Sequence, residues 1–438
     1  RRKKNMTINI YKIIFVALLT GFTSFAAHTA KAVFHDGIRP ILPELTEGRM
    51  KRSEASSIAF GLSVGFIASI GISFTLTTGL LNPWLLFLPT DIIGEKKKKK
   101  SISFGLGALW GILVVTSLDI VNKGLTALPV DFLGALGEIG TPVIAAFALF
   151  PILAIFYQFK WKKGLIAAVI VLLTRVLVVK YTKLYPESIE MFIGIVMLLA
   201  FAIIEDSKNK VQVEKDEDEE SIFEQRTKRV FKNLPVLAVI GALIAIIANL
   251  GYFAGSEISI YPLAEAAKAT DPAVAKDLIH QAALGDFLRG LGFVPLIATT
   301  ALATGVYGVV GLTFIFPVGY LAPHWIIAGI GGAVVITLEV LLLRGIGKFL
   351  EHFPSIRHAS DNIRTSMENL MDLSLLIGSV FAVIKMGGYT GFFIFVVVYF
   401  LNEVLGRKII KMAIGPVGAI ITGIVLNLLF YAHLFTPA

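Results

Sequence analysis

The chain has 438 residues, of which 55% are hydrophobic and 16% charged, with a formal net charge of +9 and a mean hydropathy of +0.78. A soluble domain carries about a quarter of its residues as charges, so an ordinary globular reading is excluded. Cysteine is absent, which rules out disulfides, thiolate nucleophiles and thiolate metal sites and leaves the redox compartment unread. The basic balance would suit nucleic acid. However, the bases lie mostly in loops and at the ends of apolar runs, as in the cytoplasmic loops of membrane proteins.

The chain opens RRKKN, then Met6, then an apolar run from about Ile8. FAAHTAKA (25–32) has the small residues of a cleavage site, but the run is long enough to span, so a retained first helix is expected. Met6 is read as the natural start. Further apolar segments fall near 57–80, 102–121, 139–158, 163–180, 187–204, 234–253, 291–318, 324–343, 371–387, 390–405 and 413–434. Unbroken runs near twenty residues match a helix crossing a core of about 30 Å, whereas barrel strands alternate apolar and polar. Two short stretches, 83–93 and 126–137, read as half-helices or re-entrant pieces. The expected fold is an all-α polytopic membrane protein with about 10–13 transmembrane helices in two pseudo-repeats, with broken or re-entrant segments.

Residues 205–233, EDSKNKVQVEKDEDEESIFEQRTKRVFKN, are almost wholly polar and mix both signs. Such a segment reads as a mobile, solvated cytoplasmic linker between a first repeat at 1–204 and a second at 234–438. Its basic KRVFKN end and the basic N-terminus both read as cytoplasmic, giving an even number of spans between them; an even number implies parallel repeats and an odd one inverted repeats, and the sequence leaves both open. Four landmarks support duplication, because their offsets in sequence are nearly constant. Ser117-Leu118-Asp119 matches Thr337-Leu338-Glu339 at an offset of 220, and Thr77-Thr78-Gly79 matches Ala303-Thr304-Gly305 at 226. Pro129 matches Pro354 at 225, and Thr174-Arg175 matches Asn402-Glu403 at 228. Internal duplication is common in secondary transporters, whose sites lie at the repeat interface. Lys96–Lys100 cannot sit in hydrocarbon and marks an interface, expected to be cytoplasmic.

Ionisable groups inside apolar segments usually face a cavity or a partner, and they supply the candidate sites. FHDGIRPILPEL (34–45) puts His35, Asp36, Arg39 and Glu44 into a stretch broken by Gly37, Pro40 and Pro43. It reads either as a substrate- or proton-binding loop or as a membrane-surface elbow with paired charges. In SDNIRTSMENLMD (360–372), Asp361, Thr365, Glu368 and Asp372 share one helical face, with Asn362 beside them and Arg364 placed to pair with Asp361 or Glu368. That stripe is a lined pathway or a juxtamembrane salt-bridged helix. Arg175 and Glu403, at equivalent repeat positions, form a possible gate or structural pair across the halves. Glu138 and Thr141, in GALGEIGTPV, complete the charged set, and Asp119 and Glu339 are expected to close their helices near an interface. Small and hydroxylated residues recur at Ser69, Gly71, Ser73, Thr75, Thr77, Thr78 and Gly79, and again at Thr299, Thr300, Thr304, Gly305, Tyr307 and Gly308. They permit close helix packing, or their helix ends bind an ion.

No Walker A sequence is present, which argues against an ATP-driven pump. His35, His280, His352 and His358 show no metal-ligand spacing, so no metal and no cofactor is expected beyond a coupling H⁺ or Na⁺. The motifs FHDGIRPILPEL, SSIAFGLSVGFIASIGISFTLTTGLLNPWLLFLPTDIIG (56–94), YPESIEMFIG (185–194), GFVPLIATTALATGVYG (292–308) and SDNIRTSMENL resemble the YhfT family of bacterial inner-membrane proteins, over nearly everything from residue 10 onward. The resemblance implies a transporter encoded beside small-molecule metabolic enzymes, with no assigned substrate or catalytic residue. The lysine run departs from the apolar character expected after Asp91-Ile92-Ile93-Gly94.

The leading expectation is a non-enzymatic secondary transporter of the bacterial inner membrane. It would move a small polar or anionic metabolite, coupled to H⁺ or Na⁺, in an elevator-like homodimer embedded in the lipid bilayer, without nucleic acid. The alternatives are a membrane subunit of a multi-protein uptake system such as a phosphotransferase permease, and an intramembrane enzyme.

Overall fold

A computed structural model describes residues 10–35, 38, 42–46, 48–96, 99–182, 184–209, 217–308 and 314–437. Asp36 and Arg39 lie outside the described residues. Among the described residues the architecture is all-α apart from one two-residue strand pair and one isolated bridge. In chain order come α1 (Ile10–His28), β1 (Ala32–Val33), α2 (Leu42–Thr46) and α3 (Arg52–Phe66), which continues through π-turns (Ile67–Phe74) into α4 (Thr75–Thr78). Then follow α5 (Pro83–Lys96), α6 (Lys100–Thr126), α7 (Phe132–Leu136), α8 (Gly140–Tyr181), α9 (Pro186–Asn209) and α10 (Glu217–Lys232). The second half holds α11 (Leu234–Asn249), α12 (Ile260–Lys268), α13 (Pro272–Thr304), β2 (Tyr307–Gly308), α14 (Ile315–Leu321), α15 (Trp325–Glu351), α16 (Pro354–Val404) and α17 (Lys411–Tyr431).

Seven of the described helices are long and apolar enough to cross a membrane, or up to nine if each of two bent pairs is one span. Two of the seven are internally broken. Lys160 has φ 63° within the 42 residues of α8, and Gly388 has φ 55° within the 51 residues of α16. At 1.5 Å per residue, either would be roughly twice the thickness of a bilayer core if straight. Both turn sharply instead. A Cβ on Gly391 would collide with the carbonyl of Val383, eight residues back, which a continuous helix would hold about 12 Å away. The absence of a side chain is therefore what lets α16 fold over. The two runs expected at 139–158 and 163–180, and the two at 371–387 and 390–405, are the arms of these bends.

Helix directions follow from contacts at both ends. Gly107 and Gly111 of α6 lie against Thr20, Ser24 and Val16 of α1, so these two helices are antiparallel. The start of α1 meets the end of α11, with Lys12 Nζ 4.8 Å from the ring of Tyr252. At its other end, the Lys31 carbonyl accepts a hydrogen bond from the Tyr307 N–H, and nearby Gly305 packs against Arg226 and Arg229 of α10, which leads into α11. Thus α1 and α11 also run antiparallel, against the same-direction arrangement expected from the two basic segments.

Two chain breaks cross near the middle. After α1 the chain extends through β1, which pairs in parallel with β2 at Ala32–Tyr307 and Val33–Gly308. After α11 it extends through Phe253, which forms a parallel bridge with Leu81. The partners of both extended pieces follow helices that end on a glycine in the left-handed region, Gly79 at φ 76° and Gly305 at φ 70°. Only glycine takes that turn without a steric cost. Phe34, Phe87, Phe253 and Phe316 then form a chain of ring contacts between the two crossings, at 5.9, 5.6 and 5.1 Å.

The π-turns serve the second crossing, where Leu81 meets Phe253. A π-turn frees backbone carbonyls from the α ladder, and buried Asn82 takes them up. Its Nδ2 donates to the carbonyls of Ile70 (3.4 Å) and Gly71 (3.0 Å) and to Thr75 Oγ1 (2.8 Å), and its Oδ1 accepts from the Leu85 N–H. One side chain thereby joins the incoming and outgoing arms.

The polar linker is more ordered than its composition implies. Helix α9 runs through residues 205–209, and α10 covers Glu217–Lys232. Asp206 is buried and accepts hydrogen bonds from the N–H and hydroxyl of Ser355, while Val230 is also buried. Burial of Asp206 and Val230 shows tertiary packing at both ends of the stretch overriding its polar average.

Candidate functional site

The densest buried polar cluster sits at the second crossing, in AGSEIS (254–259) and the facing turn of α13. Glu257 is fully buried and pairs with Arg289 at 2.8 Å, Arg289 having only 10% of its side chain exposed. The Arg289 guanidinium is enclosed by Trp84 of α5, Phe147 of α8 and Phe293 of α13, at 6.0, 5.5 and 4.8 Å from the ring centroids. One turn earlier on α13, Asp286 accepts from the hydroxyls of Ser256 and, at 2.9 Å, Tyr320. Tyr320, from α14, also accepts from the Gly255 N–H at 2.7 Å. The second carboxylate oxygen of Glu257 is buried without a hydrogen-bond partner. Extended backbone leaves N–H groups that no helix satisfies; Tyr320 takes that of Gly255, and the hydroxyls of Ser256 and Ser259 take those of Ser256, Ile258 and Ser259.

The first crossing is built in a parallel way. Asp91 of α5 accepts the N–H groups of Phe34 (2.9 Å) and His35 (3.0 Å), as Tyr320 of α14 accepts that of Gly255. Glu339, on α15, accepts from the Tyr307 hydroxyl and the Phe314 N–H, each at 2.7 Å. It therefore ties down the strand that pairs with β1 and does more than close a helix. The side chain of Asp119 lies outside the described residues.

The residues singled out in the sequence are dispersed. His35 stands at the first crossing. In the same stretch, Arg49 donates two hydrogen bonds to Glu44, at 2.5 and 2.7 Å, and this partner holds the Glu44 carboxyl below its ordinary value. Glu138 pairs with Lys385 of α16 at 2.6 Å, an interaction both partners make half-exposed. Thr141 lies at the exposed start of α8. Thr299 and Thr300 are helical, and their side chains lie outside the described ones.

On α16, Asp361, Thr365 and Glu368 share an exposed face, as the periodicity implied. Arg364 makes neither of its expected pairings among the described residues, and its Nε is buried without a partner. Thr365 turns back to the Asp361 carbonyl, Asn362 reaches Gln158 of α8 at 3.4 Å, and Asp372 faces Lys411 at 3.4 Å. The expected pair across the halves does not form. Arg175 bonds Glu190 (2.8 Å) and Glu187 (3.3 Å) of α9, and Glu403 bonds Arg407 (2.8 Å) one turn on. Each charge has a partner within reach of its own helix or its neighbour, which removes the need for a distant one.

Arg289, Glu257, Asp286, Ser256 and Tyr320 were not marked from the sequence. One signal was available. The offset that carries Ala32 at the first crossing onto Phe253 at the second also carries His35-Asp36 onto Ser256-Glu257.

Fold and site together describe an all-α protein with several membrane-length apolar helices and a buried, charge-bearing crossing of two extended segments. The chain belongs to the YhfT family. That family's model, described as a protein of unknown function, matches residues 12–435. A curated relative, the uncharacterized protein YhfT of Escherichia coli (strain K12), is 61% identical over 429 residues, covering 98% of this chain and 99% of the relative. No solved structure matches the chain.

Proposed function

We propose that the protein is a secondary transporter of the bacterial inner membrane, built of two inverted halves, that moves a small polar or anionic metabolite coupled to H⁺ or Na⁺. Seven membrane-length helices support the multi-pass reading. If the bent α8 and α16 each supply two crossings and the two bent pairs one each, the count rises into the range expected from the sequence. Correspondences between several elements of the two halves support this reading. Helices α6 and α15 are both 27 residues long and begin at Lys100 and Trp325. Helices α9 and α17 begin at Pro186 and Lys411, the same offset of 225, and the breaks at Lys160 and Gly387 keep nearly the same one. A like spacing exchanges the two crossings, taking Ala32 to Phe253 and Leu81 to Tyr307. With α1 and α11 antiparallel, these repeats are inverted ones, an arrangement in which transporters place their sites at broken, unwound segments.

The observation that carries the coupling is the sign of the buried charge. Among the described residues, Glu95, Asp206, Glu257 and Asp286 are buried acids, and Arg289, paired with Glu257, is the one buried base. A carboxylate held away from water without a full counter-charge takes up a proton or a cation. A cation bound at the unpartnered oxygen of Glu257 would compete with Arg289 for that carboxylate and free Arg289 for the acidic group of a substrate, which links ion binding to substrate binding in a single exchange. The homodimeric elevator belongs to the same proposal, with one part moving against another to alternate access.

Reconstitution into proteoliposomes tests it. Uptake of labelled small carboxylates, phosphates and sugars is measured under an imposed pH or sodium gradient. Gradient-dependent accumulation of one class, abolished in Glu257→Gln, is expected. Uptake that is absent for every class, or indifferent to both gradients, contradicts it.

A further inference from the structure

Of the lysine run, Lys97 and Lys98 lie outside the described residues, and Lys96 has a place in the fold that the crossing site does not use. A cavity of about 860 Å³ opens between the start of α3 and the end of α5. Three bases from these two elements line it, Lys51, Arg52 and Lys96, together with the hydroxyl residues Ser53, Ser56 and Ser57. None of the three bases forms a salt bridge among the described residues. Arg52 instead approaches His28, at 3.3 Å from Nδ1 and 3.5 Å from the carbonyl. The acids nearby are otherwise disposed. Glu54 accepts from the Lys51 N–H at 3.3 Å, and the buried carboxylate of Glu95 is near enough to Arg52 to feel its charge but takes no hydrogen bond from any of the three.

Three like charges around one cavity repel each other, and an anion relieves that repulsion. The hydroxyls add hydrogen-bond donors of the kind that phosphate oxygens accept. The cavity's remaining wall points to the source of the anion. Phe60 lines it while 55% exposed, and neighbouring Ile58 on α3 is 38% exposed. A basic mouth set over apolar surface at the start of α3, which together with Ile70–Thr78 is apolar and long enough for a bent span, is the geometry of a lipid at the interface. We propose that this cavity seats the phosphate of an anionic phospholipid headgroup, with an acyl chain lying along Phe60. Lys99 and Lys100, exposed at the start of α6, extend the same basic surface and draw anionic lipid toward it.

Native mass spectrometry of the full chain in detergent tests this, with added phosphatidylglycerol, phosphatidylethanolamine or inorganic phosphate. Wild type should retain phosphatidylglycerol in preference to phosphatidylethanolamine. With about fivefold affinity for each base near an anionic surface, the triple variant K51Q/R52Q/K96Q should lose roughly a hundredfold. A matched triple variant on another basic segment, K208Q/K228Q/K232Q, should retain the lipid. Thermal unfolding checks that each variant folds, and if the triple does not, the single variants R52Q and K96Q carry the comparison. Equal retention of the two lipids, or undiminished phosphatidylglycerol binding in the folded variants, overturns the proposal. Displacement of the lipid by inorganic phosphate at matched concentration also overturns it, by identifying a soluble anion as the occupant.

Discussion

Lys12 and Tyr252 belong to opposite halves of the sequence, yet the Lys12 ammonium stands 4.8 Å from the centre of the Tyr252 ring. One residue begins α1 and the other follows the end of α11, so this contact sets the two helices head to tail. It places the two chain crossings on either side of one aromatic chain, with Arg289 and Glu257 at the second.

The Arg289–Glu257 pair gives a clear energetic expectation. Breaking a buried ion pair by removing one partner strands the other, at a cost of about 3–5 kcal/mol, whereas replacing both by apolar groups is close to neutral. Arg289→Met and Glu257→Met should each lower thermal stability in detergent, and the double variant should recover most of the loss. A double variant as unstable as the sum of the singles would show that the two residues are not coupled.

Asn82 is the second test. Its side chain satisfies two carbonyls freed by the π-turns, one hydroxyl and one N–H. Asn82→Ala should cost about 1–3 kcal/mol by leaving these groups unpaired in the interior. Asn82→Asp, which keeps the acceptor and loses both donors, should rescue little. A neutral Asn82→Ala, read by thermal unfolding, would contradict the assigned role of the side chain.

Gly391 tests the sharp bend of α16. Any Cβ there meets the carbonyl of Val383, so Gly391→Ala should destabilise the protein, by about 1–3 kcal/mol as for overpacking elsewhere. Gly61, which has open space around its Cβ position, is the control. On such a helical site, Gly61→Ala should be neutral or stabilising by up to about 1 kcal/mol. Equal tolerance at both positions would argue for a straight α16.

Much of the fold was legible because hydropathy acts over whole segments. Most of the apolar runs and the short piece at 83–93 correspond to helices, whereas the run expected at 291–318 is divided, α13 ending at Thr304 and α14 beginning at Ile315. What escaped was set by pairs distant in sequence. Arg175 and Glu403 looked like partners because their positions corresponded, yet nearer acids and bases satisfy each. Glu257 and Arg289 looked ordinary because a serine-rich stretch after an apolar helix reads as a loop. Only the parallel bridge between Phe253 and Leu81 brings that loop into the interior. Helix direction was also hidden, since a basic segment marks a side of the membrane and leaves open how many bent helices separate it from the next.

The site and the transport reading both rest on two inverted halves, and sidedness tests that arrangement most directly. The chain lacks cysteine, so single cysteines can be placed at Lys208, at the linker end of α9, and at Leu434, beyond α17, both exposed. Val130, just beyond the end of α6, donates a hydrogen bond to Asn427 near the end of α17, which sets Leu434 on the side where α1 begins and α6 ends. The lysine run and the linker fall on the other side, which their basic load makes cytoplasmic. In intact cells stripped of their outer membrane, a membrane-impermeant maleimide should label Leu434→Cys and not Lys208→Cys, with both labelled after lysis. Equal labelling of the two before lysis, or protection of both, would contradict the inverted halves.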